Sequence, residues 1–220
     1  MIEKKQLLMN FNLKKDYSKQ DFYVSSSNSF AFDLINSWPK WIKKTVNLYG
    51  EKYSGKSHLA KIFESKTSCL NITSKNFSNT TLIKFKTKQA LIIEDFNGEI
   101  SEKLLYSLFN VIEQENKHLL ITSIKPLNKF DFKLNDLLSR IKNCLYVKLD
   151  VPDDELIYAL IIKNFSDRQI IIEKKFINFI IKNIDRSYEK IYEFIYKIDE
   201  ISLKKKKSID FKIIKEALKV

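Results

Sequence analysis

The sequence predicts a parallel α/β sheet covered by helices on both faces, followed by a small all-helical bundle. Three observations carry this. Up to about residue 150, short apolar runs with no polar face alternate with stretches of helical spacing, the pattern of strands buried on both sides. After Pro152 the apolar residues recur almost entirely at helical spacing. The 220 residues, 44% hydrophobic, suffice for one sizeable core with a small satellite and not for several domains.

Taken in order, residues 1–15 are mixed, lysine-rich and without period, and read as an arm. Strands are expected at 45–49, 68–72, 90–94, 119–123 and 144–149, with helices at 27–37, 56–65, 100–115 and 133–140. Residues 16–150 therefore form an α/β base. The bundle, 151–220, has helices at 153–165, 174–184, 188–201 and 210–218, with a short strand at 169–172. Asp185 and Ser208 stand where helix N-caps belong, and the lysine run 204–207 reads as a solvated loop.

Composition narrows the function classes. No uncharged apolar run is long enough to span a membrane, and residues 1–6 lack the apolar stretch of a secretory leader. Cys69 and Cys144 are far apart, without metal-ligand spacing, each in an apolar run, and read as buried free thiols in a reducing, cytoplasmic setting. The net charge of +12 invites a nucleic-acid reading, but only three of the 39 cations are arginines, Arg140, Arg168 and Arg186. Lysines beside abundant Ile, Asn and Phe read more simply as solvated drift. The three arginines then stand out as candidates for work that needs a planar, permanently charged fork.

The chain has three glycines, and two lie in one eight-residue stretch. Gly50-Glu51-Lys52-Tyr53-Ser54-Gly55-Lys56-Ser57 fits G-x4-G-K-[ST], after an expected strand and at the head of an expected helix. The glycines let the backbone wrap a phosphate, and the loop amides and helix N-terminus supply positive potential. Lys56 then reaches the β- and γ-phosphates, while Ser57 offers its hydroxyl to Mg²⁺. Forty residues on, an apolar strand ends in Glu94 and Asp95, where such proteins hold Mg²⁺ with one acid and orient water with the next. Ordinary loop capping is the plain alternative. Glu94 reaches further than an Asp would, which points to slow hydrolysis. Thr122 and Ser123 end the following strand and are placed to bond a γ-phosphate or a water, the alternative being a plain strand end. Arg140 closes the helix after it and suits a finger offered in trans to another subunit's phosphates, the alternative being a surface ion pair.

With these residues in place the chain resembles the AAA+ ATPases of the DnaA family, and among them the short Hda-like regulators of the initiator. The likeness rests on Gly55-Lys56-Ser57-His58-Leu59, on Asp21-Phe22-Tyr23-Val24 with Asn28 and Ala31, and on Trp38-Pro39-Lys40-Trp41. It continues through Asp136-Leu137-Leu138-Ser139-Arg140, residues 151–156, Asp167-Arg168-Gln169 and Asp185-Arg186-Ser187. It implies a five-stranded parallel sheet in the order 5-1-4-3-2 with the bundle as a C-terminal lid. It also implies ADP or ATP with Mg²⁺ as the ligand, and Phe22 and Val24 flanking the adenine. Where the family carries a second nucleotide-sensing arginine this chain has Glu189-Lys190, leaving Arg186 as the substitute.

Gln6-Leu7-Leu8-Met9-Asn10-Phe11 resembles the peptide by which such proteins dock on the polymerase sliding clamp: a Gln at the pocket mouth, then apolar anchors. The expectation that follows is a regulator with weak or no ATPase activity of its own. It would dock on the clamp and present Arg140 to ATP held by the initiator DnaA, so inhibiting re-initiation. Contact with DNA would be indirect, through the clamp, because the initiator's own DNA-binding and helicase-recruiting domains are not expected here. No membrane partner is expected, and monomer or homodimer is left open. The rivals are an autonomous ATPase of helicase-loader type and a lysine-rich nucleic-acid-binding module, the latter marked by steeply salt-dependent binding.

Overall fold

The computed structural model describes residues 21–168, 170, 172–205 and 207–219. Five strands, β1 (Thr45–Tyr49), β2 (Cys69–Thr73), β3 (Ala90–Phe96), β4 (His118–Ser123) and β5 (Leu145–Lys148), form one sheet in the order β2-β3-β4-β1-β5. Every pairing is parallel, so each strand end that carries chemistry lies at the same edge. This is the α/β class and strand order expected from the sequence.

Parallel strands need helical crossovers, and these cover both faces. On one face Val46, Leu48, Ala90, Ile92, Leu120 and Val147 pack against α1 (Ser29–Asn36), α2 (Lys56–Glu64) and Trp41. On the other, Leu91, Ile93, Leu119 and Ile121 pack against α3 (Asn79–Phe85), α4 (Glu102–Gln114) and α5 (Asn135–Lys142). Alternate residues of β3 thus feed different cores, which is why its central run is apolar without a break.

The remaining helices are α6 (Asp154–Asp167), α7 (Lys174–Asn183), α8 (Tyr188–Lys205) and α9 (Phe211–Leu218), which enclose a separate core of Ile, Phe and Ala. Two expectations about their ends are corrected. Asp210, not Ser208, caps α9, its carboxylate accepting from Ile213 N–H at 2.8 Å, because the helix begins at Phe211 and Asp210 stands immediately before it. Helix α8 begins at Tyr188, three residues past Asp185, and runs through Lys204 and Lys205, so half of the supposed lysine loop is helical and ion-paired to Glu200 and Glu216. In the expected strand at 169–172, positions 169 and 171 lie outside the described residues; Ile170 and Ile172 belong to no strand and pack on the bundle core. Cys144 is buried and Cys69 only half-buried; both are free, and burial pushes their thiols up to about 12 and about 11. Among the described residues no helix is long and apolar enough to cross a membrane.

Candidate functional site

The loop 50–57 runs from the end of β1 into α2, at the sheet edge where strands of this class present ligands. Its glycines are there for steric reasons. A Cβ on Gly50 would lie 2.8 Å from the Leu149 carbonyl oxygen, a backbone atom that cannot turn aside. Gly55 has φ +96° and a Cβ there would meet the Phe22 ring at 3.1 Å. Tyr53 also adopts positive φ, +67°. The loop thus packs closely on Leu149 and Phe22, in a winding that side chains at 50 and 55 would not allow.

Lys56 is 7% exposed, and its ammonium donates to the carbonyls of Gly50 (2.9 Å) and Glu51 (2.5 Å), with Ser54 Oγ at 3.4 Å. Burial lowers its proton affinity, and the carboxylates of Asp95 and Glu51 oppose that shift. A buried cation held mainly by neutral carbonyls is a strong site for phosphate oxygens, which offer it a full negative charge. Ser57, exposed on the first turn of α2, brings its hydroxyl to the same end.

The two acids of β3 part company. Between Ile93, opposite Ile121, and Phe96, opposite Ser123, the strand carries one more residue than its partner, a bulge with Asp95 at φ +55°. Glu94 accepts from Asn71 of β2 at 3.1 Å, and Asn71 also donates to Glu64 of α2 at 3.0 Å. Asp95 instead acts on Lys56. The first acid is therefore tied to its neighbour strand, while the second, exposed on the bulge, bears on Lys56 through its charge.

Thr122 and Ser123 are fully buried and bond the protein itself. The Thr122 hydroxyl accepts from the Asp95 N–H at 3.1 Å; the Ser123 hydroxyl donates to the Lys125 carbonyl at 2.7 Å and accepts from Asn47 at 2.9 Å. In these positions they shape the strand tip that carries Asp95. Asn47, which the sequence reading passed over, ties this edge together. Fully buried in β1, it also donates to the Ile121 carbonyl and accepts from Leu127 N–H at 3.0 Å. A lone Asn inside an apolar strand was the signal.

The segment 21–28 closes one side. Phe22 stacks on Phe32, with ring centroids 5.5 Å apart, and meets His58 edge-on at 5.2 Å, so His58 buttresses the aromatic wall. Tyr23 and Val24 are exposed beside it. Asn28 fixes the turn, accepting from Ser25 N–H and donating to the Tyr23 carbonyl. The lid reaches the loop at two points: Tyr188 N–H donates to Glu51 Oε2 at 3.1 Å, and the Tyr53 and Tyr192 rings lie 4.8 Å apart.

The three arginines separate. Arg168 is structural, bonded to Asp199 and the Asn164 carbonyl and seated over the Tyr196 ring. Arg186 is more than half exposed and paired with Asp154 at 2.7 Å, at the start of α6. Lys190 pairs with Glu193. Arg140 meets only a neutral acceptor, donating to Asn110 Oδ1 of α4 at 3.3 Å, and no described carboxylate pairs with it. The peptide Gln6-Leu7-Leu8-Met9-Asn10-Phe11 lies outside the described residues.

Among the described residues no group of three or more His, Cys, Asp or Glu side chains is arranged to hold a metal. Mg²⁺ uses one or two protein oxygens beside phosphates rather than a full protein cage, so Ser57 with an acid from the end of β3 would suffice to hold it.

No protein-family model matches the chain. Across 94% of its own length it is 24% identical to the chromosomal replication initiator protein DnaA of Treponema denticola. It spans about half the length of the curated relatives it matches. Domain III of the Thermotoga maritima replication initiation protein DnaA superposes with a TM-score of 0.72 at 22% identity, covering 95% of this chain and 98% of that one. DnaA from Aquifex aeolicus bound to AMPPCP superposes at 0.67 and 17% identity, covering 86% of this chain and 69% of that one. The chain is thus similar in sequence, along nearly its whole length, to part of the DnaA replication initiators, and it has the fold of domain III of the Thermotoga maritima protein.

Proposed function

We propose that the chain binds ADP or ATP at the 50–57 loop and acts in the control of replication initiation as an Hda-like regulator. The observation that carries the nucleotide half is Lys56, a nearly buried ammonium held by the main-chain carbonyls of a loop that only glycine at 50 and 55 allows to pack this closely. Its AMPPCP-bound relative supports an adenine nucleotide as the occupant. On this reading Phe22 and Val24 flank the base, Lys56 and the loop amides hold the phosphates, and Ser57 with Asp95 hold Mg²⁺, which would neutralise phosphate charge when bound. The geometry favours Asp95 over Glu94 for the metal, because Glu94 is spent on Asn71. An acid held aside agrees with weak hydrolysis by the chain itself.

The regulatory half rests on Arg140, whose guanidinium is positioned by a neutral Asn110 and keeps its charge uncompensated. Such a group serves a partner's triphosphate better than one locked in an ion pair. The proposed sequence is docking on the sliding clamp through residues 6–11, then presentation of Arg140 to ATP on DnaA. Arg140→Ala is expected to lower clamp-dependent stimulation of DnaA hydrolysis by about 10³-fold or more while leaving clamp capture intact. Gln6→Ala is expected to lose clamp capture. Full stimulation by Arg140→Ala contradicts the finger.

A second reading is favoured by the relatives themselves, which are initiators about twice this length. There the chain acts as a DnaA-like nucleotide-binding domain, and Arg140 completes a site between copies of the same domain. Nucleotide-dependent self-assembly, without any effect of added clamp, supports it over the regulator.

A further inference from the structure

Glu51 occupies the first variable position of the loop and faces two ways. Its carbonyl accepts from the Lys56 ammonium, and its carboxylate accepts the N–H of Tyr188, the first residue of α8. The first N–H groups of a helix have no partner within it and carry the positive end of its dipole, so a carboxylate there is a favourable cap. Here the cap comes from the phosphate loop, not from the chain before α8. The docking is reinforced on both sides. Tyr188 is 2% exposed and its hydroxyl donates to the Asp150 carbonyl at 3.1 Å, while Tyr192, one turn on, meets the Tyr53 ring.

These contacts oppose phosphate at the same loop. To reach a phosphate, Lys56 must leave the carbonyls of Gly50 and Glu51, which loosens the stretch of main chain that carries the lid's anchoring carboxylate. The Glu51 carboxylate also brings negative charge to the loop that must accept more of it. We infer that Glu51 is an autoinhibitory latch: it holds the lid helix α8 against the phosphate loop, and nucleotide must break this contact to bind. The inference rests on the nucleotide-binding reading above and adds a regulation of that site.

The test is ADP titration by calorimetry on the full chain, with Glu51→Ala, Glu51→Gln and Lys56→Ala, paired with amide exchange at residues 188–192. Glu51→Ala is expected to bind ADP about three- to tenfold more tightly than the native chain, the size of one lost hydrogen bond. Glu51→Gln keeps an acceptor of the same size without the charge and is expected in between. In the native chain, ADP is expected to speed exchange of the Tyr188 amide about tenfold, whereas in Glu51→Ala that amide is already fast and ADP adds little. Equal or weaker binding by Glu51→Ala, with native binding intact, overturns the latch alone. No binding by the native chain, indistinguishable from Lys56→Ala, overturns the nucleotide reading and the latch with it.

Discussion

At the scale of single residues the site depends on polar groups buried where an apolar side chain would pack as well. Asn47 makes three hydrogen bonds from the middle of β1 and so joins β1, β4 and the turn after β4. Asn47→Leu strands the Leu127 N–H in the interior and removes a donor from the Ser123 hydroxyl, which keeps its own bond to the Lys125 carbonyl. The expected loss is about 1–3 kcal/mol per orphaned group, measured as a lower urea midpoint with unchanged slope. Asn71 holds Glu94 by one amide bond. If that bond keeps hydrolysis slow, Asn71→Ala raises basal ATP turnover by roughly tenfold, about 1.4 kcal/mol of barrier; turnover at or below the native rate rules the restraint out. Much of the loop was legible because its glycines and Lys56 have few alternative uses. The separation of Glu94 from Asp95 was not, because it arises from a bulge and a left-handed Asp95 that adjacent acids do not announce.

At the scale of elements, helix ends decide what the sequence reveals. Helix α3 was missed: its seven residues carry no apolar period, and its start uses Thr81, whose hydroxyl accepts from Ser78 N–H at 3.1 Å, in place of the Glu or Gln of a familiar capping box. Its far end is tied by Lys117, nearly buried, which donates to the carbonyls of Phe85, Lys86 and Lys88 and pairs with Glu115. No local pattern links Lys117 to a helix some thirty residues earlier. Lys117→Met is expected to cost about 1–3 kcal/mol, with hydrogen exchange quickening first at residues 83–88.

Asp153 plays the equivalent part for the lid. It caps α6 through Leu156 N–H and accepts from Ser26 Oγ and Ser27 N–H of the 21–28 segment. Burial raises its carboxyl, but these bonds outweigh that and leave its proton affinity below the ordinary 3.8. The folded value is lowered, so the stabilisation is complete above 3.8 and fades as pH falls below it toward the folded value. Asp153→Ala is expected to lose about 0.5–2 kcal/mol at pH 7, a difference that shrinks below that threshold in paired denaturation curves.

At the scale of the whole molecule, the covered parallel sheet and the helical bundle were readable because each strand is apolar on both faces and the shift to helical spacing after Pro152 is abrupt, whereas the strand order followed only from the family resemblance. How the lid meets the loop was not readable, since Glu51 and Tyr188 are 137 residues apart and their bond uses a backbone amide. The charge of +12 is likewise uninformative by itself, because many lysines are spent on helix ends and ion pairs. The claim on which the rest depends is that Lys56 holds the phosphates of an adenine nucleotide. Calorimetric titration of the native chain and Lys56→Ala with ATP and Mg²⁺ tests it most directly. Saturable one-site binding that the substitution weakens by about 10- to 100-fold is the expected result, the worth of a charge-assisted bond. No binding by the native chain, or equal binding by both, contradicts it.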